Sequence, residues 1–375
     1  MRVLFVCGGT GGHINPALAV AGYLKKQQPD AEILFAGNPS GMEASLVPKA
    51  GFAFTPIKVK GFQRQLSWHN LKNNLMAVAY LTASGRRSRR ILRDFCPDVV
   101  MGTGGYVSGP LVRQAAKLGI PTLTHEQNAF PGVTTKLLSR HVDEVMLAVP
   151  EAKKYLPSDT RFVITGNPVR EAFFTADRQK VREKMGLEGK ICVLSFGGSL
   201  GARRVNEAMA QLIAHNKDRP EIFHIHATGA YGVELFPKLL AEKGITNSKE
   251  NKNLDIREYI YDMPECFAAA DLVIGRSGAS TLSELEAAGK ASILIPSPNV
   301  AENHQYHNAM ALANRDAAVV IEEKELSGQR LCEEFDRLCA DPGRLKKLGE
   351  NAAALSIHDA NDRIYRQIMK LYSKK

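Results

Sequence analysis

Val3-Leu-Phe-Val-Cys-Gly-Gly-Thr-Gly-Gly12 is an apolar run ending in a glycine turn, and Val193-Leu-Ser-Phe-Gly-Gly-Ser-Leu-Gly-Ala202 repeats the arrangement in the second half of the chain. A short apolar stretch bounded by glycines reads as a buried strand, and the helical period after the first turn predicts a helix over Asn15 to Gln27. A second pair follows in the same order: Asp98-Val-Val-Met-Gly-Thr-Gly-Gly105 is matched by Asp271-Leu-Val-Ile-Gly-Arg-Ser-Gly278. Strand, turn and helix in alternation form a parallel α/β sheet, and two ordered matches predict that the pattern occurs twice.

Working outward, Glu32 to Ala36, Val99 to Met101, Thr122 to His125, Glu144 to Ala148 and Phe162 to Thr165 continue the first series of strands. Pro168, within Gly166-Asn-Pro-Val-Arg170, blocks simple continuation of regular pairing and suggests a boundary. The expectation is two Rossmann-like, doubly wound α/β domains, 1–168 and 169–357, facing across a cleft at the carboxyl ends of their strands, where such sheets bind ligands. A terminal helix over about 358–375, with Ile364, Ile368, Leu371 and Tyr372 near one stripe, is free to return to the first domain.

The 375 residues are 44% hydrophobic and 23% charged, enough for two sizeable cores and incompatible with wholesale disorder. Six scattered cysteines, without CxxC or Cys/His spacing, argue against a disulfide scaffold and a zinc site and for a reducing compartment. No signal peptide and no apolar run of about 20 residues occur, so a cytoplasmic chain without a transmembrane helix is expected. The formal charge of +10 is uneven, with 20 Lys+Arg against 10 Asp+Glu in 1–168 and 29 against 29 in 169–375. An anionic partner for the first half is one reading, whether nucleic acid, a membrane surface or a phosphorylated substrate, and a solvated basic face is the other.

Glycine turns at strand ends let backbone N–H groups approach an anion, and the following helix N-terminus adds positive potential. Three such turns occur, at Gly8–His13, Gly102–Pro110 and Gly197–Ala202, with Ser199 a candidate phosphate donor in the third. The first departs from GxGxxG, and no acidic residue closes the second strand, which disfavours a nicotinamide dehydrogenase. His13 reads as an imidazole at the exposed tip of its loop, either a general base or a group that contacts an acceptor, or else a helix cap or a solvated histidine. His125-Glu-Gln-Asn128 ends a buried strand with four polar side chains, as a cleft lining or a turn with Asn128 capping. In Gly278-Ala-Ser-Thr-Leu-Ser-Glu284, Ser280 and Thr281 can cap a helix, and Glu284 is either a capping carboxylate or an acceptor for ribose hydroxyls. His304 and Gln305, after Pro296-Ser-Pro-Asn299, add polar groups to the same rim. No Asp-x-Asp occurs, so a metal-chelated diphosphate is not signalled, and no cofactor is expected.

Between Trp68 and Phe95, an apolar series that includes Leu71, Leu75 and Met76 adjoins Arg86, Arg87, Arg89, Arg90 and Arg93. Trp68, Leu75 and the four arginines from Arg86 to Arg90 are candidates for an interfacial membrane contact; the competing reading is core packing plus a solvated basic helix. Nucleic-acid binding is disfavoured, because no helix-turn-helix or stacking-aromatic pattern accompanies the charge.

The ordered set of motifs, ending in Arg276-Ser-Gly-Ala279 and His304-Gln305, resembles the N-acetylglucosaminyltransferase family of bacterial peptidoglycan synthesis (the MurG family) over essentially the whole chain. The resemblance implies the two-domain GT-B architecture and an inverting, metal-independent transfer. N-acetylglucosamine would move from its UDP derivative to the C4 hydroxyl of undecaprenyl-pyrophosphoryl-N-acetylmuramoyl-pentapeptide (lipid I), giving lipid II for cell-wall biogenesis. It implies that Thr10, Gly11, Gly12, Asn128, Arg170, Ser199, Ile260, Ala279, Ser280, Thr281, Leu282, Ser283, Glu284 and Gln305 surround the UDP-sugar. Gly104, Gly105, Tyr106, Ser108 and Asn206 would serve the acceptor side, and His13 or Glu126 would be the base. The partners implied are UDP-N-acetylglucosamine, lipid I, the anionic inner face of the cytoplasmic membrane, to which the enzyme would be peripheral, and other cell-wall synthesis proteins. Two positions depart from the commoner pattern: Leu200 replaces a frequent Gln, and His304 stands where many members have a first Gln. A UDP-N-acetylglucosamine 2-epimerase of the same fold and a non-catalytic nucleotide-sugar binding module are the alternatives.

Overall fold

The computed structural model describes residues 1–59, 85–246, 251–300 and 303–374. The chain divides into two compact units, Met1–Arg170 with His358–Lys375, and Glu171–Ile357.

The first unit is built on a parallel sheet of β1 (Arg2–Val6), β2 (Glu32–Gly37), β3 (Ala53–Pro56), β4 (Val99–Gly102), β5 (Thr122–Glu126), β6 (Glu144–Leu147) and β7 (Phe162–Ile164), in the order β3-β2-β1-β4-β5-β6-β7. The second carries β8 (Ile191–Phe196), β9 (Ile222–Ala227), β10 (Leu254–Arg257), β11 (Leu272–Gly275), β12 (Ala291–Leu294) and β13 (Val319–Val320), in the order β10-β9-β8-β11-β12-β13. Both sheets reverse direction of growth beside their first strand. The switch points, where such folds bind ligands, are therefore β1/β4 and β8/β11. These four strands are the ones that enter the glycine turns paired in the sequence, so the repeat is a structural one.

Helices cover both faces. Val3, Phe5, Val99 and Met101 pack with the helix Gly11–Gln27 and with Ile364, Ile368 and Leu371 of the helix Ala360–Tyr372. Leu4, Val6 and Val100 point to the other face, toward Leu111 and Val112 and toward Ile91 and Leu92. This alternation is the period of two expected of strands buried on both sides. The terminal helix is fastened by apolar burial, worth about 2 kcal/mol per large side chain, and by Gln28 Nε2 donating to Tyr365 Oη at 2.9 Å.

Two histidines of β9 are wholly buried. His226 Nδ1 meets Ser195 Oγ at 2.8 Å and His224 Nε2 meets Asn216 Nδ2 at 3.1 Å. Burial pushes both imidazoles down to about 3 from an ordinary 6.5. The unfolded chain thus binds more protons between those values. Stability is full above about pH 6.5 and declines as the pH falls toward 3, by roughly 1 kcal/mol per pH unit per histidine. Denaturant midpoints at pH 7 and pH 5 should differ accordingly, with a shallower fall in His226→Gln; identical midpoints would contradict the assignment.

Candidate functional site

In the first unit the turns after β1 and β4 interlock. A Cβ on Gly105, whose φ is +79°, would lie 2.1 Å from the Gly8 carbonyl oxygen, so only glycine allows the two turns to approach so closely. Ser108 Oγ donates within this joint, 2.8 Å from Val6 O and 2.6 Å from Gly104 O. Tyr106 stands at the rim, its hydroxyl accepting from Asn38 Nδ2 at 3.1 Å.

The helix after β1 begins at Gly11, with Thr10 as an extended N-cap, rather than at Asn15. Glycine's poor intrinsic helix propensity hides this first turn from a sequence reading. The consequence is a correction for His13. It is half-buried in the first helical turn rather than at an exposed loop tip, and its carbonyl accepts from Thr103 Oγ1 at 2.7 Å. Its Nδ1 lies 3.3 Å from Gln127 Oε1. Thr10 and Gly12 are exposed beside it and Gly11 is half-buried.

Glu43 does not stand out in the sequence. It is fully buried, and its carboxylate accepts from Gly9 N at 3.3 Å and Asn38 N at 2.8 Å. Cβ atoms on Gly8, Gly37 or Gly41 would strike its side chain. The only local signal is a lone acid between glycines. One amide of the first turn is therefore engaged by the protein's own carboxylate, which weakens the expectation that this turn cradles a diphosphate.

His125 and Glu126 end β5, and Gln127 and Asn128 begin the loop after it. His125 is buried and its imidazole is pushed down to about 4 by desolvation. Glu126 is 3% exposed and has both oxygens engaged. One accepts from Asn128 N and Nδ2, each at 3.1 Å, and the other from Gly132 N at 3.0 Å and Thr135 Oγ1 at 2.6 Å. Such a carboxylate fixes the loop after β5 and is poorly placed to take a proton. Arg170 is half-buried at the end of this unit.

In the second unit the turn after β8 is stapled to the end of β9. A Cβ on Gly229 would lie 2.0 Å from Gly201 N, and one on Gly201 would lie 2.2 Å from Thr228 O. Asn206, on the helix Arg203–His215, donates to Thr228 O at 3.0 Å and so belongs to this staple, in a different unit from the other residues expected on the acceptor side. Ser199 is half-buried and Leu200 is 44% exposed.

The helix Ala279–Ala288 opens after β11 with Gly278 as its N-cap and no side-chain cap. This corrects the capping alternative: Ser280 and Thr281 lie inside the first turn, and Glu284 is a turn further on. Glu284 is 8% exposed, Leu282 is buried, and Ser283 Oγ donates to Ala279 O at 3.2 Å. Gln305 is held near this turn, its carbonyl accepting from Ser277 Oγ at 2.7 Å and its side-chain Oε1 from Ser297 N at 2.9 Å. Ile260 is buried in the segment after β10. Among the described residues no group of three or more His, Cys, Asp or Glu could hold a metal ion.

Residues 85–95 are helical. Arg86, Arg87, Arg89 and Arg90 are exposed on this helix, while Ile91 and Leu92 are buried in the core. Trp68, Leu71, Leu75 and Met76 lie outside the described residues. No described helix is long and apolar enough to cross a membrane.

Comparison with known proteins agrees with this fold. The N-terminal domain of glycosyltransferase family 28 matches residues 3–147 and its C-terminal domain matches residues 192–364. The UDP-N-acetylglucosamine--N-acetylmuramyl-(pentapeptide) pyrophosphoryl-undecaprenol N-acetylglucosamine transferase of Acetivibrio thermocellus is 45% identical over 100% of this chain and 99% of its own length. The crystal structure of Acinetobacter baumannii MurG aligns with a TM-score of 0.68 at 29% identity, covering 98% of this chain and 99% of the other. A UDP-GlcNAc 2-epimerase from Neisseria meningitidis aligns over 99% of this chain and 100% of its own, with a TM-score of 0.63 at 15% identity, a likeness of fold alone. Two Rossmann-like sheets of one strand order, glycine turns at both switch points and full-length similarity lead to one conclusion: the chain is a GT-B glycosyltransferase that belongs to family 28, among the MurG N-acetylglucosaminyltransferases.

Proposed function

We infer that this protein transfers N-acetylglucosamine from UDP-N-acetylglucosamine to lipid I, forming lipid II. The observation that carries the reading is the full-length similarity to transferases of that name, joined to a histidine in the first turn of the helix that leaves the β1/β4 switch point. In one displacement, His13 takes the proton of the C4 hydroxyl as that oxygen bonds to the anomeric carbon. The bond from that carbon to the UDP oxygen breaks, and UDP leaves with the electron pair. Attack opposite the leaving group converts an α-linked donor into a β-linked product. Charge on departing UDP is offset by amides of the turn after β8 and by the N-terminus of the helix Ala279–Ala288. Glu126 acts as a positioning carboxylate, since both of its oxygens are already bonded.

The test is incubation of labelled UDP-N-acetylglucosamine with a short-chain lipid I analogue, with and without chelator. Label is expected in the lipid product in both arms. Free N-acetylmannosamine without lipid labelling would identify an epimerase, and UDP binding with no turnover a binding module.

Glu284, nearly buried on the donor side, is our candidate for the ribose hydroxyls. A hydrogen bond to a charged group contributes about 1.5–3 kcal/mol, so Glu284→Ala should weaken UDP binding by roughly ten-fold or more. An unaltered dissociation constant by calorimetry would remove the assignment.

The exposed arginines of 85–95 support peripheral attachment to an anionic leaflet, with the acceptor held in the basic half of the chain. Each arginine near such a surface contributes about 1 kcal/mol, or roughly five-fold in affinity. Replacing Arg86 and Arg87 with Gln should weaken binding to anionic vesicles, as should added salt. Equal binding to neutral vesicles would argue for a merely solvated helix.

A further inference from the structure

We propose that Gln127, itself held by His125, is a positioning residue that fixes the His13 imidazole with its proton on Nδ1 and its lone pair on Nε2. The catalytic consequence rests on the reading of His13 as base; the tautomer does not.

The chain of contacts lies within the first unit and has one consistent assignment of protons. Gln127 Nε2 lies 2.9 Å from Thr103 O and 3.3 Å from His125 O. Carbonyl oxygens only accept, so this atom is the amide nitrogen and the atom facing His13 is the amide oxygen. At 3.3 Å from that oxygen, His13 Nδ1 must be the donor and carry hydrogen. The other end is fixed in the same way. His125 Nε2 lies 3.0 Å from Gly166 O and so carries the hydrogen, while its Nδ1, 3.1 Å from Gln127 Nε2, accepts. Burial, which holds His125 neutral down to about pH 4, keeps that acceptor available. Gln127 is 4% exposed, and the two hydrogens of its amide are shared among three acceptors, none of which titrates near neutral pH, so it has little freedom to rotate.

The arrangement suits a base. His13 offers Nε2 to a hydroxyl, and after accepting a proton it still donates from Nδ1 to the same oxygen, so proton uptake requires no rearrangement. An amide oxygen also differs from a carboxylate in this position: it orients the ring without adding a negative charge that would hold the imidazolium.

An unconstrained histidine in water prefers the Nε2–H form, so the proposal has a spectroscopic signature. Two-bond proton–nitrogen correlations on the full chain with 15N-labelled histidine, with His13→Asn identifying the His13 signals, should show neutral His13 protonated at Nδ1. Predominance of the Nε2–H form would overturn the proposal. In Gln127→Met the signature should shift toward Nε2–H, and kcat should fall roughly 10- to 100-fold with little change in KM for UDP-N-acetylglucosamine. An unchanged kcat would end the catalytic part. If Gln127→Met does not fold, the spectrum of the unaltered protein decides alone. Nδ1–H in a protein with no transferase activity would leave the positioning standing and remove the proposed function instead.

Discussion

Replacing His13 with Asn should lower kcat by about 10² to 10⁴, the span over which a positioned general base acts, while UDP-N-acetylglucosamine binds almost as before. Asn is more informative than Ala. Its amide can still donate to Gln127 Oε1, the partner of His13 Nδ1 at 3.3 Å, whereas Ala leaves a buried acceptor unsatisfied at a cost of about 1–3 kcal/mol. Asn removes Nε2 and keeps the scaffold. Steady-state kinetics with a melting curve separates the two effects, and unchanged turnover in a stable His13→Asn protein would remove His13 from the mechanism.

The second large effect is expected at Gly229. Its φ is +69°, and a Cβ would lie within 2.0 to 2.4 Å of backbone atoms of Leu200 and Gly201. Backbone has no rotamer with which to give way, so Gly229→Ala must push the turn after β8 out of place. With ψ at 166° the residue lies in a backbone region essentially reserved for glycine, which costs a residue with a Cβ about 1–3 kcal/mol, and the overlap adds about 1–3 kcal/mol. Gly244 supplies the control: its φ is +83°, and a Cβ there would meet nothing within 4 Å. Gly244→Ala should show only the conformational cost and normal UDP affinity. Gly229→Ala should be less stable still and should bind UDP at least roughly ten-fold more weakly, a loss of about 1.4 kcal/mol. Equal stability and affinity in the two variants would show that the staple between residues 197–201 and 228–229 has no role in donor binding.

The parts of the fold that could be read from the sequence are those whose determinants are local. β1, β4, β8 and β11 each announce themselves as an apolar run stopped by glycine, and these are the strands that flank the two switch points. β9 escapes such a reading because His224 and His226 occupy buried positions in it, and a histidine without its partners looks like a solvent-facing residue. β13 has only two residues, too few for any period. At the site, the motifs mark the turns but not what holds them. Glu43 acts on Gly9 across 34 positions and Gln127 on His13 across 114. Those pairings exist only after the sheet has assembled. The reading of His13 as a loop tip failed for the opposite reason: glycines that signal a turn can also begin a helix when Thr10 is extended before them.

The most direct measurement is the structure of the disaccharide formed from an α-linked donor and a lipid I analogue, determined by nuclear magnetic resonance. A single displacement with the acceptor hydroxyl activated by His13 predicts a β linkage to C4 of the muramoyl residue. An α linkage, or a bond to any other hydroxyl, would contradict it.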